Sequence, residues 1–501
     1  MSPPPSPSGE AATPQASLGL RTLAVLTGAV LVFHGVVAGL IHLTEDEAYY
    51  RIWSLSPAAG YFDHPPMIAW WIWLGRHIGG DDAFGVRLLP VLASAITSFL
   101  VFDMARLVGA SERAAARAGI WYNATLLAAA GAMLAIPDAP ASLFWQTTAW
   151  CVLKAFQGRR VFAWWIAAGV AAGLATLSKY SGLFLAPGVF LLLVATERGR
   201  AQLKSPGPWL AMVIAAALFG VNLQWNATHH WLSFTKQFGR VAPHSLSPQF
   251  LFEFIVGQFV LLNPVVAVFA ARAFAAKPRW LNLEGPWVFA ALSLPFVLYL
   301  LIHSLHDRVQ AHWPSPLYPG LAVAAALAAE RIDARGWWAR LRTLAPYLGL
   351  GVASAALIYG ALPLPSGKGD PAVAVRGWPE FGRRLEALRL QRGAAWVGTL
   401  SYGQAAQLAV TPQLTAPVIE IGERDRYAIL AHPPTADLSK PGLVVDLKRR
   451  TSIAALGACF SDVTAVGEVD RTPDRHAQYE VFLVARPNRV VEGGCWSGDR
   501  G

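Results

Sequence analysis

The chain has 501 residues, of which 54% are hydrophobic and 14% charged, with a mean hydropathy of +0.39. A soluble chain carries roughly 25% charged residues to clothe its cores, so this composition excludes an ordinary soluble enzyme and requires a surface that faces lipid. The 41 Lys and Arg against 31 Asp and Glu leave a net charge of +10. Nucleic-acid binding would gather those cations on a polar domain, whereas here they stand in ones to fours beside apolar runs.

Residues 1–17 are rich in Pro, Ser and Ala and are expected to form a disordered tail. They lack the basic start of a cleavable leader, and the apolar run from Leu20 to Leu43 is long enough to cross about 30 Å of hydrocarbon, which predicts an anchor. Ten further apolar runs follow, near 84–103, 114–134, 139–156, 161–178, 181–196, 208–225, 250–271, 285–303, 313–329 and 344–362, for about eleven spans. With a cytoplasmic N-terminus, sixteen cations fall in five inner loops: Arg106, Arg113 and Arg117; Lys154, Arg159 and Arg160; Arg198, Arg200 and Lys204; Arg272, Lys277 and Arg279; and Arg331, Arg335, Arg340 and Arg342. The outer loops carry six, namely Arg51, Arg76, Lys179, Lys236, Arg240 and Arg308, so the positive charge is mainly topological.

This parity places everything beyond Pro363 outside the cytoplasm. Residues 363–376, Pro- and Gly-rich, read as a linker. In 377–501 a helix from Trp378 to Arg392, the run AAWVG, a helical YGQAAQLA and the runs PVIEI, LVVDL and YEVFLVA predict a small extracytoplasmic α/β domain. Of three cysteines, Cys151 lies in an apolar run, while Cys459 and Cys495 share the polar segment and are expected to pair in an oxidising compartment.

The first outer loop, residues 44–83, is long and acidic, and long loops in compact proteins are usually functional. Thr44 and Glu47 have capping-box spacing at the start of TEDEAYYRIW. Asp46 and Glu47 also suit a helix N-terminus electrostatically, so a purely structural role is an equal reading. The segment GYFDHPPMIAWWIWLGRHIG follows, with Asp63 and His64 on a turn stiffened by Pro65 and Pro66, then a Trp-rich run suited to the membrane surface. Lys179 sits between two apolar runs, where an ionisable group is costly and is a functional candidate by default. Arg308 lies among His303, His306, Asp307 and His312, a density that also invites a zinc reading.

Taken in order, the Asp46-Glu47 pair after the first run, the Tyr61-x-Asp63-His64-Pro65-Pro66 turn, the Trp-rich helix, LSKYSG at 177–182 and HWPSPLY at 312–318 resemble the membrane glycosyltransferases of family 39. That family includes the dolichyl-phosphate-mannose protein mannosyltransferases and is related to the lipid A aminoarabinose transferases. The resemblance covers roughly residues 20–330. It implies a GT-C fold with two surface helices in the first outer loop, a donor sugar on a polyprenyl phosphate, and a cavity at the outer membrane face. The acceptor would be an envelope lipid, glycan or protein, the location a bacterial inner membrane, and the catalytic unit residues 18–362.

Such a transfer needs a base for the acceptor hydroxyl and positive charge for the departing phosphate. A glycosidase pairs two carboxylates, but a phosphate leaves as a weakly basic anion that cations stabilise, so one carboxylate suffices. By position Asp46 is the base, with Glu47 shaping the site or touching the acceptor. Lys179, Arg240 and Arg308 are nominated for the phosphate. In the aminoarabinose transferases the acid of the turn matching Asp63-His64 helps to hold a metal, which makes a divalent ion a candidate cofactor here. His64 replaces their lysine and could bind metal or act as a pH-sensitive donor. Gln237 stands where they place a metal-binding histidine near Arg240, and His229 or His230 could substitute; His312 is a further donor contact. The rival readings are a lipid-linked oligosaccharide ligase, a polytopic transporter, and a scaffold whose outer domain does the binding. Transporters place their binding residues near the midplane, often in repeated halves, whereas here the charges lie at span ends.

Overall fold

A computed structural model describes residues 14–239, 246–275, 283–332, 335–364, 369–432, 434–448, 450, 451, 453–472 and 477–488. Helix α1 (Pro14–Leu40) leads into α2 (Glu45–Trp53) and α3 (Met67–Gly79), the two short helices expected in the first outer loop. The bundle continues with α4 (Ala83–Leu107), α5 (Glu112–Asn123), α6 (Leu126–Ala132), α7 (Asp138–Ala155), α8 (Val161–Ser178), α9 (Leu185–Ala195) and α10 (Glu197–Leu203). It is completed by α11 (Pro206–Thr228), α12 (Leu232–Gly239), α13 (Pro248–Leu261), α14 (Pro264–Ala273), α15 (Pro286–His303), α16 (Tyr318–Glu330) and α17 (Trp337–Ala361).

Six of the described helices are long and apolar enough to cross a membrane: α4, α8, α11, α15, α17 and residues Gly19–Leu40 of α1; two bent pairs would raise this to eight. The sequence expectation of about eleven counted apolar runs rather than unbroken helices. The run 114–134 is broken where Thr125 caps α6 through the Ala128 N–H, and the run 250–271 bends by 103° where Asn263 caps α14 ahead of Pro264. Large apolar side chains such as Val25, Phe252 and Tyr347 remain exposed around the bundle, as a lipid-facing surface requires. Small residues let helices approach closely elsewhere. A Cβ on Gly85 would lie within 1.8 Å of the Gly80 carbonyl oxygen, so α4 fits under α3 only with glycine there.

The C-terminal segment holds α18 (Trp378–Gln391), β1 (Trp396–Thr399), α19 (Tyr402–Ala409), β2 (Val418–Glu420), α20 (Asp425–Ala428), β3 (Gly442–Leu447), β4 (Phe460–Asp470) and β5 (Gln478–Pro487). The sheet order is β2-β1-β3-β5-β4. Strand β1 is parallel to both β2 and β3, with Val397 opposite Val418 and Leu443, and β5 is antiparallel to β3 and β4. All four expected strand runs and both helices are present; β4 was not expected. Cys459 is disulfide-bonded and Cys151 is free; Cys495 lies outside the described residues.

The sheet does not stand apart from the bundle. One apolar core joins Tyr49, Trp53 and Tyr61 of the first outer loop to Trp378, Ala406 and Tyr427. Helix α19 lies directly on α2, and a Cβ on Gly403 would come within 2.6 Å of a Glu45 carboxylate oxygen. Gln407 donates to the Leu43 carbonyl at 2.6 Å. This docking covers the 44–83 loop and brings side chains of the C-terminal segment beside it.

Candidate functional site

The adjacent acids Asp46 and Glu47 part company at the start of α2. Thr44 and Glu47 form the expected capping box, which fixes the helix N-terminus. Residues one apart on a helix point about 100° away from each other, so Glu47 turns inward and Asp46 turns to a cavity. Glu47 is fully buried and takes bonds from Arg87 Nε at 2.7 Å and Nη2 at 2.6 Å, from the Thr44 N–H at 2.9 Å and from the Ala135 N–H at 3.0 Å. Burial pushes its carboxyl upward, but the Arg87 charge and these hydrogen bonds outweigh it and hold the group below its ordinary value. Of the two roles expected for Glu47, shaping the site is what its surroundings support. Acceptor contact is corrected, because its oxygens are occupied within the protein and it does not line the cavity.

Asp46 does line a cavity of about 1040 Å³ at the end of the bundle, which Tyr402, Glu423, Asp425 and Arg426 of the C-terminal segment also line. Its Oδ1 accepts a hydrogen bond from the Tyr402 hydroxyl at 3.0 Å. Burial raises the Asp46 carboxyl above its ordinary value, while the Tyr402 bond and His312 draw it partly back. Tyr402 is itself pushed well above its usual value by burial and the nearby Asp46 charge, so it remains a hydrogen-bond donor.

The turn at Asp63-His64 forms the adjoining wall. Tyr61 stacks on Trp53 at 4.4 Å between ring centres, and its N–H bonds to the His64 carbonyl, which closes the turn. The Asp63 carboxylate accepts from Tyr49 at 3.1 Å and from Arg426 Nη1 at 2.6 Å to each oxygen. Arg426 comes from α20, and its guanidinium lies 4.1 Å over the Tyr402 ring. Gln237 lines the cavity as well, donating to the Asp63 carbonyl at 2.6 Å.

Lys179 lines the same cavity as Asp46. Helix α8 ends at Ser178 and Lys179 is extended (φ −157°, ψ 142°), and at this helix end its side chain lines the cavity. Its Nζ bonds to Asp138 Oδ1 at 2.7 Å and lies 5.6 Å from the Trp313 ring centre. His312 Nε2 is 3.6 Å from the second Asp138 oxygen; burial lowers the His312 value more than Asp138 raises it, which favours the neutral ring. Arg308 lines the same cavity and pairs with Glu253 at 2.9 Å at its exposed rim. Arg240 lies outside the described residues.

Asp46, Asp63, His64, Lys179, Gln237, Arg308 and His312 are thus gathered in one cavity. His229 and His230 are not: His229 stacks on Trp225 at 4.1 Å and bonds to the Trp225 carbonyl, away from the lining. This corrects their nomination as metal ligands. Among the described residues no group of three or more His, Cys, Asp or Glu side chains is arranged to hold a metal ion. The acid of the turn, Asp63, spends both oxygens on Arg426, so these residues do not fit a divalent ion. The acidity of the 44–83 loop is also only partly a site property. Asp81 pairs with Arg51 and Arg76 at 2.9 and 2.6 Å, and Asp82 caps α4.

Several residues here escaped the sequence reading. Asp138 falls in the short outer gap between two apolar runs, and Arg87 lies inside an apolar run; both are charges in costly places, a readable signal. Tyr402 and Arg426 gave none, since only the docking of the C-terminal segment brings them in from more than 350 residues away.

A model of the dolichyl-phosphate-mannose-protein mannosyltransferase family matches residues 63–225. The chain is similar to a lipid A galacturonosyltransferase of Rhizobium johnstonii, 27% identical over 54% of this chain and 58% of the relative. It is also similar to the undecaprenyl phosphate-alpha-4-amino-4-deoxy-L-arabinose arabinosyl transferase of Pseudomonas aeruginosa, 30% identical over 34% of this chain and 31% of the relative. The matched regions therefore span less than two thirds of these curated relatives. In three dimensions it matches crystal structures of ArnT from Cupriavidus metallidurans, in the apo state and bound to undecaprenyl phosphate, with TM-scores of 0.61 and 0.63 at 17% identity. These superpositions cover 93% and 94% of this chain and 98% of ArnT. The fold is GT-C, the protein is a multi-pass membrane protein, and the resemblance expected from its motifs holds.

Proposed function

We propose that the protein is an integral membrane glycosyltransferase that moves a sugar from a polyprenyl-phosphate donor to a hydroxyl acceptor at the outer end of the helical bundle. Residues 18–362 form the catalytic unit, and 377–501 an extracytoplasmic domain that roofs it. The N-terminus is cytoplasmic and the membrane is the bacterial inner membrane. Undecaprenyl phosphate is the donor carrier and a lipid A-type glycolipid the acceptor we favour, because the relatives carry those names.

The carrying observation is that Asp46 and Lys179 line one cavity at the end of the helical bundle. Asp46 takes the proton of the acceptor hydroxyl as that oxygen bonds to the anomeric carbon. Its burial makes it a stronger base than an exposed aspartate, and Tyr402 fixes one oxygen so that the carboxylate is oriented. The bond from the anomeric carbon to the phosphate oxygen breaks, and polyprenyl phosphate leaves as an anion. Lys179 and Arg308 offset its charge, while Asp138 and Trp313 hold the lysine in place before substrate arrives. No second carboxylate is needed, which agrees with Glu47 being withdrawn into the Arg87 pair.

Mass spectrometry of envelope glycolipids and glycans from a deletion strain tests this reading. A sugar mass missing from an envelope acceptor and restored by complementation supports it. An envelope identical to the parent's in every glycan class contradicts it.

A further inference from the structure

A second polar cavity, of about 490 Å³, lies at the other end of the bundle, between α1, α5 and α17. Helix α1 reaches from this cavity at Thr22 to the loop bearing Asp46 after Leu40, which at 1.5 Å per residue separates the two sites by about 27 Å. Arg113, Arg117 and Trp121 stand at i, i+4 and i+8 on one face of α5, and Arg342 and Tyr347 come from α17. Arg342 is pinned, since its Nη1 donates to the Ala329 and Ile332 carbonyls at 3.1 Å. Arg117 is not satisfied: its Nη1 is buried and has no hydrogen-bond partner. The Glu330 carboxylate is engaged by the Ser111 N–H.

A buried guanidinium donor with no acceptor, beside two further arginines, costs free energy unless an anion completes the site. The fork of an arginine fits phosphate oxygens in particular. The surroundings decide which phosphate. Val25, Leu344, Tyr347 and Leu348 on the flanking helices are 74%, 55%, 73% and 47% exposed, so the cavity is bordered by exposed apolar side chains of the kind that face lipid. We propose that it binds the phosphate headgroup of an anionic phospholipid, with Arg117 as the central contact and the acyl chains lying along α1 and α17. The site is separate from the transfer cavity and does not depend on the reaction proposed for it.

The test titrates the delipidated full-length protein in detergent with phosphatidylglycerol, phosphatidylcholine and inorganic phosphate, read by native mass spectrometry and thermal unfolding. Phosphatidylglycerol is expected to bind saturably and raise the unfolding temperature, with phosphatidylcholine and inorganic phosphate far weaker. Arg117→Gln should weaken phosphatidylglycerol binding by about tenfold or more, the loss of one charge-assisted contact. Without lipid it should unfold no earlier than the parent, because it removes a buried donor that has no hydrogen-bond partner in the protein; a merely structural arginine would show the reverse. Arg113→Gln, at an exposed position, should also weaken binding. Equal phosphatidylglycerol affinity in both variants, equal binding of phosphatidylcholine, or comparable occupancy by inorganic phosphate would each overturn the proposal.

Discussion

Replacing Glu47 with Ala separates the two neighbouring acids of α2 by their energetics. Five hydrogen bonds end on the Glu47 carboxylate: two from Arg87, two from Thr44 and one from the Ala135 N–H. Arg87 is 1% exposed and would keep its bonds to the Ala38, Ile41 and His42 carbonyls but lose its counter-charge. Removing one partner of a buried ion pair costs about 3–5 kcal/mol. The loss should appear in denaturant or thermal unfolding in micelles, followed by tryptophan fluorescence. Because the folded-state value of Glu47 is depressed, its contribution is complete above the ordinary glutamate range and fades as pH falls through its folded value, so the gap to Glu47→Ala narrows below about pH 4. The double variant Glu47→Leu with Arg87→Met should recover much of the loss, since no charge is left stranded. A Glu47→Ala protein as stable as its parent to within about 0.5 kcal/mol would refute the structural role.

Three further outcomes follow from the site. Tyr402→Phe removes a hydrogen bond that favours the Asp46 carboxylate, so the acid limb of the kcat/KM profile should move to higher pH; an unmoved limb would detach Tyr402 from the base. Lys179→Met should weaken donor binding by about tenfold or more while the protein stays folded, measured as the affinity for undecaprenyl phosphate. Asp81 is held at about 2 by Arg76 and Arg51. Asp81→Asn should therefore lower the unfolding temperature at pH 7, and the difference should vanish as pH falls from about 4 toward that value; a pH-independent difference would reject the ion-pair explanation.

Much of this architecture was legible because lipid and sheet both impose simple patterns. Apolar run lengths gave the helical segments, and the Thr44-x-x-Glu47 spacing gave the start of α2. YGQAAQLA matches α19 residue for residue. Span continuity was less readable, because Thr125 and Asn263 break apolar runs through local caps that hydropathy does not register. Strand β4 escaped because it is an edge strand with a single buried residue, Phe460, and a register shift between Ala465 and Gly467, so its alternation is blurred. In the site, residues near the first outer loop could be found from charge in costly places. Arg426 and Tyr402 could not, since their position depends on how α19 and α20 seat against α2. The same contact explains why Asp63 is paired to a guanidinium instead of being left available to a metal.

The central claim is that Asp46 is the base of a transfer from polyprenyl phosphate. Its most direct test is Asp46→Asn, which keeps the shape and can still accept the Tyr402 hydrogen bond while removing the basicity. Transfer is measured by mass gain of a purified acceptor glycolipid, alongside undecaprenyl phosphate affinity and unfolding temperature. The account predicts a folded protein with parental donor affinity and transfer reduced by about 100-fold or more. A folded Asp46→Asn protein that transfers sugar at the parental rate would contradict it.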